Sequence, residues 1–226
     1  MPRPRSLSPD RLAAAAIAVI DRDGLAGLSM RTVAGELGMS TMALYRYVRD
    51  RDELELLVVE GVLHPLDTTP PPDPPWTDQI KTMVDRVRAA VGAHPGIVPL
   101  LLRHRQSSVS TLRWSETVLG ILTGAGFDGA ARVVALRALI SYVNGAIQLE
   151  HLGALSGAGT VVISKLSPTE FPLMAATAGA ARTVGPDEEF GGGLEILLRG
   201  LAATRPAEAR ERPGDPAPPA RDQPTR

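Results

Sequence analysis

The chain has 226 residues, 44% of them hydrophobic and 22% charged, with a formal net charge of −1, which is enough to bury a core without covalent staples. It has no cysteine, which excludes disulfides, thiolate metal sites and cysteine nucleophiles. The N-terminus, Met1-Pro2-Arg3-Pro4-Arg5, is charged and proline-broken, and the longest unbroken apolar run, residues 12–20, falls far short of the about 20 residues that a bilayer span needs, so the expectation is a cytoplasmic protein with no membrane partner.

Charge is placed unevenly. Residues 1–51 carry eight arginines against five acids, and the sign then reverses with Asp52, Glu53, Glu55 and Glu60. A basic end on a near-neutral chain suits a polyanion partner, because neutralising phosphates supplies most non-specific affinity. An unevenly charged, solvated surface is the plainer alternative.

In chain order, Leu12, Ala16, Val19 and Ile20 share one face of a first helix, with Pro9 in its first turn and Gly24 as its stop. Met30, Val33, Ala34 and Leu37 form a short second stripe ending at Gly38. Leu44 and Val48 belong to a third, and Leu54, Leu57, Val58, Gly61 and Val62 to a fourth. Residues 65–75 hold six prolines, which lack the amide donor and push their predecessors out of the helical region, so this segment reads as a stiff connection.

Beyond it, a helix over 76–93 turns Ile80, Val84, Val87 and Val91 inward, and a short apolar piece follows over 97–105. Helices are predicted over 108–125 and 130–152, then an irregular Gly/Ser-rich stretch, then helices over 171–184 and 190–203. Only Thr160-Val161-Val162-Ile163 looks strand-like, and it is too isolated to be more than a loop or a frayed edge. Residues 204–226 hold six prolines, nine charged residues and little to bury, which predicts a disordered tail. The fold class is all-α.

The most informative stretch runs from Leu28 to Val48. Gly38 can end one helix in the left-handed region, Ser40 or Thr41 can cap the next, and Ala34 is small where the two would cross. That is helix-turn-helix geometry, in which the second helix enters the DNA major groove. An ordinary helical hairpin is the competing reading, against which stands the cluster of Thr41, Tyr45, Arg46, Arg49 and Arg51 on and just after the second helix.

The pattern Gly24-Leu25-x-x-Leu28-Ser29-Met30-Arg31-x-Val33-Ala34-x-x-Leu37-Gly38, followed by Leu44-Tyr45-x-Tyr47-Val48-Arg49-Asp50-Arg51-x-x-Leu54, resembles the DNA-binding domain of the tetracycline-repressor family of transcription regulators. Trp76-Thr77-Asp78, Phe171-Pro172-Leu173 and the run from Glu189 to Leu201 are similar to the C-terminal domain of the tetracycline repressor's own subgroup. The resemblance covers about residues 9–203. It implies a flexible arm (1–8), a helix-turn-helix domain (9–64), the proline-rich linker (65–75), a ligand-binding and dimerisation domain (76–203) and the tail (204–226).

The resemblance also implies roles. Arg31, Thr41, Met42, Ala43 and Arg46 would face base edges, Tyr45, Tyr47 and Arg51 would meet the phosphate backbone, and Thr32 completes the DNA-binding set. Arg31 and Arg46 could bond guanine bidentately, whereas Met42 and Ala43 offer only apolar contact, such as to a thymine methyl. Positions that hold tetracycline and its magnesium in the family align here with apolar Met83, Val87 and Leu101, which implies a more apolar, metal-free effector. The remaining effector-binding candidates are Arg103, Trp114, Leu139, Tyr142, Asn144 and Gln148; plain core is the alternative for most of them, and the polar groups of Trp114, Asn144 and Gln148 would need partners if buried.

Gly124-Ala125-Gly126-Phe127-Asp128-Gly129 spells G-x-G-x-x-G, but a dinucleotide site needs a strand before it, and here a helix is predicted there. The four histidines, at 64, 94, 104 and 151, show no metal-ligand spacing. No catalytic residue, metal ligand or cofactor site is assigned. For a homodimer, the helices over 130–152 and 190–203 are the candidates for an intersubunit bundle, with Val133, Ile140, Ile147, Leu194, Leu197, Leu198 and Leu201 as its contacts. The function implied is a ligand-responsive repressor on a palindromic double-stranded DNA operator, released by a small, largely apolar effector; an activator shares every DNA-facing residue. The alternative is an all-α enzyme or small-molecule carrier with a vestigial helix-turn-helix.

Overall fold

The computed structural model describes residues 7–205. Among them there are no strands and eleven α-helices: α1 (Pro9–Asp23), α2 (Met30–Glu36), α3 (Thr41–Leu44), α4 (Arg51–Leu63), α5 (Trp76–Gly92), α6 (Val98–Arg103), α7 (Val109–Gly124), α8 (Gly129–Gly153), α9 (Ala158–Ser164), α10 (Pro172–Ala181) and α11 (Pro186–Thr204).

Local chemistry sets the N-terminal boundaries. Ser8 caps α1 by accepting from the Arg11 N–H, with Pro9 at its start, and Gly24 (φ 73°) ends it. Thr32 closes a capping box with Ser29 at α2, and the Ser40 hydroxyl accepts from the Ala43 N–H at α3. Asp50 caps α4 through the Glu53 N–H. Leu12, Ala16, Val19, Ile20, Val33, Ala34, Leu44 and Val58 are almost fully buried in the shared core.

Three boundaries differ from the sequence reading. Residues 160–163 are helical within α9, not a loop or frayed edge; no neighbouring strand is there to pair with, and α9 lies against α10 instead. Leu7 is buried and Ser8 is a cap, so only residues 1–6 of the expected arm fall outside the described residues. At the other end α11 runs through Thr204, and Arg205 is buried, its guanidinium 5.9 Å from the Trp76 ring centroid. The rest of the expected tail, residues 206–226, lies outside the described residues.

Residues 65–75 are tied down rather than merely spanning. Arg86 donates to the Asp67 and Thr69 carbonyls at 2.9 and 2.6 Å and pairs with the Asp67 carboxylate at 2.9 Å. The glycine-rich run at 124–129 is a turn between α7 and α8 with Gly126 and Gly129 at positive φ, and it seats buried Phe127 edge-on to Trp76.

Helix α8 is long and apolar enough, by length and composition, to cross a membrane, yet only 22% of its most apolar window is buried. Counting unbroken apolar runs missed it because Arg132, Arg137 and Glu150 are spaced along it. Its exposed positions follow a helical period: Val134, Ser141, Gly145, Leu149 and Leu152.

Candidate DNA interface and effector cavity

The turn between α2 and α3 is built from Gly38 (φ 67°) and a Met39 N–H to Ala34 carbonyl bond of 2.9 Å. Leu44 and Val48 face inward, which leaves Met42, Tyr45, Arg46 and Tyr47 outward, with Met42 77% exposed. An apolar side chain so exposed costs little alone, and a groove contact gives it a partner. Arg31 and Arg46 are exposed and have no ion-pair partner among the described residues, so both are free to reach an anion or a base edge.

Two members of the DNA-binding set differ. The Thr32 hydroxyl is engaged in the cap, with the Ser29 N–H and the Gly27 carbonyl both within 2.9 Å, so its single proton is not free for phosphate. The Arg51 Nε donates at 2.7 Å to Glu55, whose side chain is fully enclosed, so only the terminal nitrogens of Arg51 remain for DNA.

Glu55 is the hub of a charged cluster between α4 and the end of α6. His104 Nε2 lies 3.1 Å from one of its oxygens and Arg103 3.3 Å from the same oxygen, while Arg103 also donates to Asp52 at 2.9 Å. Burial alone would raise the Glu55 carboxyl, but hydrogen bonds from His104 and Arg51 and the charge of Arg103 outweigh it and hold the group below its ordinary value. Asp52, Glu55 and His104 place ligand-type atoms within 4.8 Å of one another. Two guanidinium groups already supply Glu55 with the positive charge that a metal would bring to this trio.

One turn and more along α4, Glu60 accepts from the Ser108 hydroxyl at 2.7 Å and from the Ser110 hydroxyl and N–H at 2.6 and 3.2 Å. Here too burial opposes the charge and these bonds overcome it, lowering the carboxyl's pKa. Helix α4 is thus fastened at two points to the α6–α7 segment.

That segment walls a cavity of about 420 Å³ between α5, α6, α7 and α8, lined also by Leu63 and Leu66. Of the effector candidates, Val87, Leu101, Trp114 and Asn144 line it. Met83 and Leu139 are fully buried in the core; the Met83 carbonyl instead accepts from Trp114 Nε1 at 3.1 Å. Arg103 is drawn away to Asp52 and Glu55. Tyr142 reaches from α8 to the Phe190 carbonyl on α11, at 2.5 Å, and half-buried Gln148 lines neither this cavity nor the recess described next.

The sequence reading missed Leu63, Leu66, Thr111, Leu136, Arg137 and Val143 on this wall. A signal existed, because Leu136, Ile140, Val143 and Asn144 recur at helical spacing.

A larger recess of about 780 Å³ opens elsewhere, among Asp85, Arg88, Glu150, His151, Asp187 and Phe190. It is more polar, and its central cation is spent: Arg88 bonds Asp187 at 2.8 Å and Glu150 at 3.3 Å and lies over the Phe190 ring. The smaller, apolar cavity joined to α4 is therefore the better candidate for an effector site.

The expected dimer contacts divide. Ile147, Leu194, Leu198 and Leu201 are buried within the subunit's own core, Ile140 lines the cavity and Leu197 is half-buried, whereas Val133 is exposed. Positions 194, 198 and 201 form the core stripe of α11 against α8. The outward stripe of α11 is Gly192, Ile196 and Gly200, with Ile196 68% exposed. Gly193 has a neighbour within the chain: a Cβ there would meet the Tyr142 hydroxyl at 2.5 Å.

Residues 12–56 match the family of bacterial regulatory proteins described as tetR family, and residues 69–205 match the tetracyclin repressor-like C-terminal domain. The chain is 31% identical over 215 residues to the HTH-type transcriptional repressor DrrR1 of Streptomyces coeruleorubidus, covering 88% of this chain and 78% of that one. It is 28% identical to the class A tetracycline repressor protein from transposon 1721 of Escherichia coli, over 88% and 92% of the two chains. Among solved structures, ActR of Streptomyces coelicolor in complex with actinorhodin superposes with a TM-score of 0.75 at 26% identity, over 91% of this chain and all of that one.

Proposed function

The chain belongs to the tetracycline-repressor family of bacterial transcription regulators, and on that footing we propose that it is a repressor acting as a homodimer on a palindromic DNA operator, released by a small, largely apolar effector bound between α5, α6, α7 and α8. The observation that carries this reading is the double attachment of α4. Its start leads directly from the DNA-facing turn, its end borders the cavity, and Glu55 and Glu60 fasten it to the segment that walls that cavity. A ligand that spreads α6 and α7 pulls on both carboxylates and tilts the helix carrying the DNA-reading unit. Linkage then requires that operator and effector weaken each other's binding by the same factor.

A palindrome needs two copies held at a fixed spacing, with half-sites about one helical turn apart or a multiple of it. The exposed stripes of α8 and α11 support a four-helix contact between copies, and covering them also explains an apolar α8 without invoking a membrane. The role needs no catalysis, metal or cofactor, and it places the protein with its DNA in the cytoplasm.

The test is to recover bound duplexes by selection and then screen compounds for duplex release. A symmetric consensus released by an apolar compound supports the reading. Turnover of such a compound with no selected duplex would instead favour an enzyme or carrier. Within the selected duplex, Arg46→Ala is expected to change sequence preference, costing about 1–3 kcal/mol if it reads a base. Arg51→Ala should weaken all duplexes alike and flatten the salt dependence. Uniform loss in both variants, measured by competition against mutated half-sites, would remove Arg46 from base readout.

A further inference from the structure

Two residues of the apolar cavity's wall each carry a buried polar side-chain atom with no protein partner: Asn144 Oδ1 and Thr111 Oγ1. The other polar groups nearby are already used. Trp114 Nε1 donates to the Met83 carbonyl, and the Ser115 hydroxyl donates to the Thr111 carbonyl. Asn144 Nδ2 donates at 2.8 Å to the Ile140 carbonyl. That bond fixes which way the amide faces, because a carbonyl can receive only the amide's N–H side. Oδ1 is therefore an acceptor left without a partner, beside the second Nδ2 proton. Arg105, Gln106, Glu116 and Arg137 are exposed residues at the cavity's edge, two cations against one anion, so the mouth does not favour a cationic ligand.

We propose that the effector is a neutral or acidic hydroxylated ring compound, whose O–H donates to Asn144 Oδ1 while its ring system fills the apolar space beside Trp114. This rests on the effector-cavity reading above and deepens it by naming the ligand's chemistry. A plain hydrocarbon leaves the buried carbonyl oxygen unpaired, and an ether or ketone oxygen placed against Oδ1 sets lone pair against lone pair. The Thr111 hydroxyl, which can both donate and accept, provides a second contact for the same class of molecule. A volume of about 420 Å³ lies within the range of small-molecule sites and suits a fused-ring molecule.

The test uses the full-length protein with naphthol, its methyl ether and naphthalene as probes, followed by quenching of tryptophan emission. Wild type is expected to bind naphthol up to about tenfold more tightly than the ether, the range of one net hydrogen bond. Asn144→Leu should bind both alike and hold the ether at least as well as wild type does. That variant removes an unpaired buried acceptor, so it should melt no lower than wild type, which keeps the comparison between folded proteins. Equal affinity of wild type for naphthol and ether would overturn the proposal, as would a naphthol preference that survives Asn144→Leu. Binding without discrimination leaves the cavity standing as an effector site. No quenching by any of the three would sink the cavity reading and this inference together.

Discussion

Ile196→Glu is expected to abolish tight operator binding while leaving the subunit folded. Ile196 is 68% exposed on α11, so in an isolated subunit the change touches no core contact and should alter stability by no more than about 0.5 kcal/mol. In a two-fold dimer built on α8 and α11 it places two carboxylates in a buried apolar contact with nothing to pair them. A buried unpaired charge costs several kcal/mol, and about 1.4 kcal/mol is tenfold in a binding constant, so dimerisation should weaken by at least roughly two orders of magnitude. Sedimentation should then report monomers, and affinity for a palindrome should fall to that of a single half-site, although the DNA-reading turn is untouched. An Ile196→Glu protein that sediments as a dimer and binds its palindrome normally would exclude this face.

Choosing Ile196 rather than Leu194 or Leu198 shows where the sequence was legible and where it was not. The stripe at 194, 198 and 201 is visible by periodicity, but periodicity says that a face is buried without saying against what. The structure spends that stripe on the subunit's own α8 and leaves the opposite, glycine-lined face open. The N-terminal unit was legible because its signals are local: Pro9, Ser40, Gly24 and Gly38 do at each boundary what their chemistry requires.

Residues 160–163 misled because four β-branched residues in a row favour a strand only where a partner strand exists. The cavity was half legible. Val87, Leu101, Trp114 and Asn144 were found, but Arg103 and Tyr142 are claimed by Glu55 and the Phe190 carbonyl, partners distant in sequence that no spacing argument reveals.

The carboxylate of Glu55 should carry the second large effect. Its side chain is fully enclosed and holds Arg51, Arg103 and His104 around it. Glu55→Gln keeps the volume and removes the charge, leaving two guanidinium groups facing a neutral amide. The arginines left behind are about half exposed, so the loss is that of charge-assisted hydrogen bonds, about 1.5–3 kcal/mol, and at this chain length each kcal/mol moves the melting temperature by roughly 2–4 °C. A drop of roughly 3–12 °C at neutral pH follows from those two ranges. The pH dependence has a definite direction. The folded-state pKa of Glu55 is lowered, so its contribution is fully present above the ordinary glutamate value of about 4.3 and is lost as pH falls through the folded value. The gap between wild type and Glu55→Gln should therefore be widest near neutrality and close below about pH 4. Glu60, also lowered, keeps part of the acid sensitivity in the variant. Because the same cluster ties α4 to α6, the folded Glu55→Gln protein should still recognise its operator below its melting temperature, but need more effector for release. Thermal melts from pH 3 to 7 and duplex-release titrations check both statements. A variant that melts like wild type across that range, and releases DNA at the same effector concentration, would mean that α4 is moved by some route other than this carboxylate.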